Sequence, residues 1–282
     1  MHCHRLGRAA LGIALAGLPH LVGAQPPETV RTTLATGLVV ESVPVSIPPP
    51  VEAGDGIITL VRIDPARYRL QLLTAAEHGS ARTAPDWARE FGLTGVINAS
   101  MFKPGGRSTG LMIHGTQVNN GTVNPGFGAF FAFDSTTAKE SAAAIFGRGC
   151  PGFDLEQIRN RHRVVIQNYR MLGCHRQPVM WKDSKIYSVA AVAVDRDGWV
   201  VFIHSRTPYR MRDFNTMIAD PRLGLTGAMF VEGGPEASLF VRTNGGTIEK
   251  TGSWETGFRP DDSNSQFWRI PNVIGFAPHE AE

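Results

Sequence analysis

The sequence predicts an α+β fold, a mixed β-sheet with a few helices packed on it in a single domain. The first observation is the content of turn-forming residues, 31 glycines and 19 prolines among 282 residues, which indicates many short strands. The second is that short apolar or alternating segments outnumber segments of helical periodicity. The third is an ordinary globular composition, 42% hydrophobic and 19% charged, which excludes wholesale disorder. The net charge of +3 is too weak to indicate a nucleic-acid partner.

The N-terminus has the pattern of a secretory signal peptide, which we place at residues 1–24. Its start carries two arginines and no acid, an apolar stretch follows over residues 9–18, and small or β-branched residues stand at 22–24, where cleavage is expected. The apolar stretch is too short to span a bilayer comfortably, and Pro19 interrupts it. We therefore expect a periplasmic or secreted protein with no membrane span after cleavage.

The expected mature chain starts with a leader or edge segment at residues 25–55, and the domain occupies residues 56–282. The leader contains two short strand candidates and a proline-rich stretch that must be extended, because proline fixes φ and lacks a donor. At the start of the domain, residues 58–63 and 68–73 have strand patterns and are separated by the turn signal Asp-Pro-Ala. This arrangement predicts a β-hairpin.

A helix is predicted next. Thr83 is a good N-cap, and Asp86 three residues later completes a capping box. Gly92 is a natural stop for this helix. A buried strand then begins at residue 96 and ends at Asn98.

The rest of the chain is predicted to be mostly strands. Residues 189–194 and 199–203 form a second hairpin around an Arg-Asp-Gly turn. Residues 135–160 have no clear pattern. The other predicted elements are strands at 126–133, 163–167, 227–231 and 273–276 and a helix at 212–219.

Two cysteines remain once the expected signal peptide is removed. In an exported chain, Cys150 and Cys174 predict one disulfide. The competing interpretation is a metal site made of these two cysteines and His175, but it has neither a second Cys-x-x-Cys nor a His-x-x-x-His pair.

Two strand ends are candidates for a ligand cleft. In residues 96–102 and 229–239, a buried apolar strand delivers one polar side chain, Asn98 or Glu232, followed by small residues. Small residues let a ligand approach the backbone closely. The alternative is a pair of tight turns in which these two side chains cap local backbone.

Six segments, taken in order, resemble the phosphodiester glycosidase domain family. They match the family's Asp-Pro hairpin, its Asn-Ala-Gly-Met-Phe motif, its Gly-Leu hairpin, its Gln-Ser-Gly-Pro segment, its Val-Gly-Val-Asp strand and its Asp-Gly-Gly motif. In this sequence the segments are residues 63–68, 98–102, 108–115, 167–172, 192–198 and 232–234. The resemblance implies a hydrolase of a glycosyl phosphodiester or of a related polysaccharide bond.

The sequence departs from the family at three places. Glu232 stands where the family has Asp, Tyr169-Arg170 replaces Gly-Pro, and the arginine that often precedes the Val-Gly-Val-Asp strand is absent. If that arginine clamps phosphate in the family, another cation must replace it here. The candidates are Arg170, Lys185 and Arg206.

The chemistry that the resemblance implies needs few catalytic groups. Cleaving the C1–O bond builds positive charge on the sugar, and the leaving phosphate monoester has a last pKa near 6 and needs little protonation. One carboxylate and a cationic phosphate clamp can suffice. We expect Glu232 to be that carboxylate, acting on water as a base or stabilising the oxocarbenium ion, and Asn98 to bind a hydroxyl or the phosphate. His204, at a strand end, is the third catalytic candidate, with a structural histidine as the alternative.

The remaining candidates are expected to bind substrate. They are Gly233, Gly234, Arg206, Arg107, Gln167 and Ser188. We expect no cofactor, since no nucleotide loop is present and no motif supports a divalent cation; residues 261–264 are better explained as a solvated turn than as a calcium site. Two other functions stay open: a non-catalytic carbohydrate-binding or exopolysaccharide-assembly factor, and a hydrolase of an ordinary glycoside.

Overall fold

The computed structural model describes residues 1–2, 28–137 and 142–279. The predicted signal peptide lies outside the described residues, apart from its first two positions, and stays a prediction. Among the helices of the described segments, none is both long and apolar enough to cross a membrane.

The described residues form mostly β-structure with a few short helices. The strands are β1 (Val30–Ala35), β2 (Leu38–Pro44), β3 (Ile57–Ile63), β4 (Tyr68–Thr74), β5 (Gly95–Asn98), β6 (Met112–His114), β7 (Gln117–Asn120), β8 (Ala129–Ser135), β9 (Ala143–Gly147), β10 (His162–Asn168), β11 (Tyr187–Asp195), β12 (Val200–Tyr209), β13 (Leu225–Gly233), β14 (Ser238–Thr243), β15 (Gly246–Thr251) and β16 (Asn272–Pro278). The α-helices are α1 (Ala75–His78), α2 (Ala84–Glu90), α3 (Leu155–Arg161) and α4 (Met211–Ile218).

The strands form three antiparallel sheets and not the one mixed sheet that the sequence predicted. Sheet 1 has the order β1-β2-β3-β12-β11-β13, sheet 2 the order β7-β6-β10-β8-β9, and sheet 3 the order β15-β14-β5-β16-β4. The fold is therefore more β-rich than an even α+β mixture. The prediction was wrong because a strand that is buried on both faces has the apolar sequence expected of a mixed or parallel sheet.

The three sheets share one central core. On β11, Val192 faces this core, while Ala191 and Ala193 face a second cluster outside sheet 1. On β8, Phe131 faces the central core and Phe130 faces outward. Because successive side chains of a strand point to opposite faces, strands with apolar residues at every position are buried on both sides.

Each sheet has a helix on its outer face. Helix α4 packs on sheet 1 through Phe214, α3 packs on sheet 2 through Ile158, and α2 packs on sheet 3 through Trp87. Helix α2 begins as the sequence predicted, since the Thr83 hydroxyl accepts the amide N–H of Asp86. The burial of Trp87 is completed by a hydrogen bond from its indole N–H to the carbonyl of Ile270.

The second predicted hairpin is confirmed as β11–β12, but the first is wrong. Strand β3 pairs with β2 and β12 in sheet 1, and β4 pairs with β16 in sheet 3. The turn after β3 is tight, since the amide N–H of Tyr68 donates to the carbonyl of Asp64. It directs the chain into a different sheet because both edges of β3 are already occupied.

Candidate functional site

The candidate site lies where β13 ends. Strand β13 carries a bulge at Val231, because Ala190 of β11 pairs with Glu232 whereas Ala191 pairs with Phe230. A bulge leaves one residue unpaired and re-aims the side chains beside it. Phe230 and Glu232 both line a cavity of about 560 Å³.

One wall of the cavity is aromatic. Tyr169 and Trp181 have ring centroids 4.7 Å apart, and Trp181 and Phe230 have centroids 5.7 Å apart. Tyr187 extends this aromatic wall, with its ring centroid 5.9 Å from that of Phe230. The indole N–H of Trp181 donates to the carbonyl of Arg170, which fixes the orientation of that ring. Such a wall offers rigid apolar area to the C–H face of a sugar ring.

Three cationic residues also line the cavity: Arg170, Lys182 and Lys185. The two lysines are exposed and reach the cavity from the loop between β10 and β11. The Arg170 guanidinium is held in place by hydrogen bonds. Its Nη1 lies 3.2 Å from the carbonyl oxygen of Arg148 and 3.1 Å from the sulfur of Cys150. These three side chains offer positive charge to an anionic ligand, beside the carboxyl groups of Asp183, Glu232 and Glu255 in the same lining.

Glu232 is the most buried carboxyl group of the cavity, with 9% of its surface exposed. Burial raises its pKa well above the ordinary value, and the neighbouring carboxylates of Glu236 and Glu255 raise it further. The Gly233 amide N–H donates to Glu232 Oε1 at 3.0 Å and opposes this rise. The carboxyl consequently keeps its proton at pH values where an exposed glutamate has lost it.

A second carboxylate, Glu255, lines the same cavity. It lies against Gly234, where φ is +65° and where an added Cβ would come within 2.5 Å of Glu255 Oε2. Burial raises the pKa of Glu255, while the positive charge of Lys185 lowers it. Three carboxyl groups thus line the cavity: Asp183, which accepts the hydroxyl of Tyr187, and Glu232 and Glu255, which lie in different electrostatic surroundings.

Comparison with known families decides what kind of protein has this cavity. The chain matches the phosphodiester glycosidase family over residues 91–277, about two thirds of its length. The chain belongs to the phosphodiester glycosidase family. The family's description, phosphodiester glycosidase, is that of a hydrolase of phosphodiester sugar bonds. No curated protein sequence matches the chain.

Two solved structures share this fold. One is a hypothetical protein from Synechocystis, 16% identical with a TM-score of 0.57; the match covers 90% of this chain and 64% of that one, so this chain spans less than two thirds of its length. The other is the zebrafish N-acetylglucosamine-1-phosphodiester alpha-N-acetylglucosaminidase catalytic domain, auto-inhibited by pro-peptide. It is 13% identical with a TM-score of 0.54, and the match covers 92% of this chain and 86% of that one. At such identities the likeness shows the fold alone.

The two motifs expected to form a cleft do meet: the second contributes Glu232 and Gly233 to the cavity, but the first contributes a different residue from the one expected. The first motif contributes Met101 to the cavity, not Asn98. The Asn98 amide donates to the carbonyl of Glu236 at 3.0 Å and accepts the amide N–H of Ser238 at 2.8 Å. Asn98 therefore holds the turn that follows Glu232, as the capping alternative anticipated.

Two other predicted ligands are engaged with backbone. Gln167 is fully buried, and its side-chain amide makes four hydrogen bonds to the backbone of Leu111, Asn124 and Phe127. The Ser188 hydroxyl donates to the carbonyl of Arg206 and accepts amide N–H groups from residues 253 and 254. Neither side chain lines the cavity. Both are buried, and their polar atoms form hydrogen bonds within the protein, as buried polar groups normally do.

The two predicted arginine ligands lie outside the cavity. Arg206 forms an ion pair with Asp262 and donates to the carbonyls of Thr251 and Asn264, so its guanidinium fastens surface segments together. Arg107 donates to Asn120 Oδ1 at 3.0 Å. The cations at the cavity include instead Arg170 and Lys185, the other two candidates to replace the family arginine.

His204 lies in the core and does not line the cavity. Its side chain is 1% exposed, and Nε2 lies 3.3 Å from the carbonyl oxygen of Ala237. Burial lowers its pKa to about 4. The structural alternative fits this position better than a catalytic one.

The buried imidazole predicts acid sensitivity. His204 is neutral in the folded protein down to about pH 4, whereas in the unfolded chain it binds a proton below its ordinary value near 6.5. Stability should therefore fall as the pH drops from 6.5 to 4, by about 3 kcal/mol for this group. Denaturant unfolding of wild type and His204→Gln across this range measures the loss, since glutamine keeps a donor for Ala237 and does not titrate. Parallel curves for the two proteins would contradict the prediction.

The predicted disulfide between Cys150 and Cys174 is confirmed. The cysteine–histidine metal site is thereby excluded, because both sulfurs are bonded to each other. In the described parts of the chain, no group of three or more His, Cys, Asp or Glu side chains is placed to hold a metal ion. The expectation of no cofactor stays a prediction.

Sequence reasoning missed Glu255 and Trp181. Both lie in polar, turn-rich segments that have no strand pattern. Glu255 reaches the cavity only because its backbone pairs with Tyr187 at the start of β11. The only sequence signal was weak. Each segment contains a tryptophan, a residue that is uncommon in exposed turns and that indicates a partly buried position.

Proposed function

We propose that this phosphodiester glycosidase is an exported hydrolase that cleaves the C1–O bond between a sugar and a phosphodiester. One observation carries the proposal: a single cavity combines the buried carboxyl of Glu232, an aromatic wall and three cationic side chains. A glycosyl phosphodiester has the matching parts, which are a sugar ring, an anomeric bond and a negative phosphate.

The cations supply what the missing family arginine would supply. Lys185 and Lys182 have no ion-pair partner among the described residues, so their ammonium groups are available to a phosphate. Arg170 is anchored but also lines the cavity. Charge from these groups stabilises the departing phosphate monoester, and the carboxyl of Glu232 acts at the anomeric bond.

Export is a proposal of the same kind. The sequence pattern of residues 1–24 supports it, and so does the Cys150–Cys174 disulfide, because disulfides persist in oxidising compartments. We place the enzyme in the periplasm or outside the cell.

A panel of substrates tests the reaction. Residues 25–282 are incubated with sugar 1-phosphodiesters that differ in the sugar and in the alcohol on phosphorus, and with the matching aryl glycosides. Release of free sugar from the phosphodiesters alone is the expected result. Release from aryl glycosides alone would identify an ordinary glycosidase, and silence combined with glycan binding would favour the non-catalytic carbohydrate-binding function.

Replacing Lys185 tests the phosphate clamp. Lys185→Met is expected to raise KM for phosphodiesters about 10- to 100-fold, because a charge-assisted hydrogen bond contributes about 1.5–3 kcal/mol. Inhibition by free phosphate should weaken in parallel. Lys103→Met is the matched control, since Lys103 is exposed and lies outside the cavity. Equal KM values for wild type and Lys185→Met would remove Lys185 from the clamp.

A further inference from the structure

We propose that Glu255 is a second catalytic carboxylate of this site, the base that activates the attacking water, and that Glu232 is the proton donor to the leaving phosphate. This inference rests on the proposed function and gives separate roles to two side chains of one cavity.

The position of Glu255 is built into the fold. Its backbone N–H donates to the carbonyl of Arg259 at 2.8 Å, and the N–H of Arg259 donates back at 2.9 Å. An isolated bridge to Tyr187 attaches the same residue to β11. The side chain then lies against Gly234, where φ is +65° and an added Cβ would come within 2.5 Å of Glu255 Oε2 and 3.0 Å of its Cβ.

The Glu255 carboxylate is available for chemistry. Within residues 28–137 and 142–279 it has neither a hydrogen-bond partner nor an ion-pair partner, although the residue is only partly exposed. A half-buried carboxylate with no partner is unusual, because buried charges are normally paired. A water molecule or a ligand hydroxyl in the cavity would satisfy it.

The surroundings separate the two carboxyl groups. Glu232 is the more buried of the two and faces the negative charges of Glu236 and Glu255, so it holds a proton. Burial also raises the pKa of Glu255, but this residue is more exposed than Glu232, and the positive charge of Lys185 opposes the rise. Burial raises the pKa of the neighbouring Glu236 to about 7, and the negative charge of Glu255 adds to that rise. Two carboxyl groups whose environments differ in this way can act as acid and base.

The reaction balances with these roles. Glu255 accepts a proton from water as the water oxygen forms a bond to C1 of the sugar. The C1–O bond breaks and its electron pair goes to the phosphate oxygen, which takes the proton of Glu232. The products are the free sugar and a phosphate monoester that carries one proton. The proton on Glu255 returns to Glu232 through solvent, and the sugar emerges with inverted configuration because water attacks directly.

Glu255→Gln tests the base. We expect kcat to fall by about 10²- to 10⁴-fold, the usual effect of general base loss, and the acidic limb of the kcat/KM profile to disappear. Azide needs no deprotonation, so it should restore turnover in Glu255→Gln and form a glycosyl azide, but it should not do so in Glu232→Gln. The control is Glu249→Gln, an exposed carboxylate of β15 that leaves kcat unchanged.

The outcomes distinguish this inference from the proposed function. Wild-type kcat in Glu255→Gln, failure of azide to restore turnover, or retention of configuration in the product measured by NMR would overturn the role of Glu255 alone. Absence of turnover in the wild-type protein would overturn the proposed function and this inference with it.

Discussion

Replacing Glu232 by glutamine is expected to lower kcat by about 10²-fold, the low end of the usual effect of acid–base catalysis because the phosphate leaving group needs little protonation, while leaving ligand affinity nearly unchanged. Glutamine has almost the same shape and its amide oxygen can still accept the N–H of Gly233, but it has no carboxyl proton to transfer. Single-turnover rates on a sugar 1-phosphodiester and binding of a sugar 1-phosphate measure the two effects separately.

The same variant is expected to be more stable than wild type at neutral pH. The pKa of Glu232 is raised in the folded protein, so above the unfolded value near 4.5 the unfolded chain releases a proton that the folded protein still holds. Stability then falls as pH rises through this window, because the folded state binds more protons. Glutamine does not titrate and escapes this loss. The melting temperatures of the two proteins should converge below pH 4 and separate toward pH 8.

This combination rules out misfolding as the cause of lost turnover. A protein that loses activity while gaining stability has lost a functional group, which is the trade-off expected of a strained or desolvated active site. Glu249→Gln should change neither property, since Glu249 is exposed and at most weakly paired. Retained kcat in Glu232→Gln, or a lower melting temperature at every pH, would contradict our assignment.

The sequence was a good guide to single elements and a poor one to their assembly. Apolar periodicity located β11, β12 and β13, and capping chemistry located the start of α2, because both signals are local. Which strands become neighbours is decided by packing over the whole chain. The Asp-Pro turn after β3 has the sequence of a hairpin turn, yet it connects two sheets.

Prediction of the candidate site from the sequence has the same limit. Glu232 was found because a strand end followed by glycines is a local pattern. Asn98 and Gln167 have equally suggestive positions, but their amides hold backbone, and this use cannot be distinguished from ligand binding without knowing what lies opposite. Glu255 could not be found from the sequence, because it reaches the cavity through backbone pairing with a strand that is distant along the chain.

Removing the disulfide is expected to destabilise the protein by about 3.5 kcal/mol. Cys150 and Cys174 are 24 residues apart, and the unfolded chain gains this much freedom when the loop is opened. Denaturant unfolding of the Cys150→Ser/Cys174→Ser double variant measures the change. Thiol reduction of the wild-type protein is the control and should reproduce it, because no serine side chain is then introduced.

The bridge should also affect substrate binding more than the chemical step. It fastens the chain on either side of Arg170, whose guanidinium lies 3.1 Å from one sulfur and 3.7 Å from the other, and residues 175–186 continue from it to supply Trp181 and Lys185 to the cavity. Glu232 is held separately, by the pairing of β13 with β11. Loss of the bridge should therefore loosen the aromatic and cationic walls and raise KM, while kcat at saturating substrate falls much less. A fall in kcat as large as that of Glu232→Gln, with KM unchanged, would show that the bridge supports the carboxyl and not the walls.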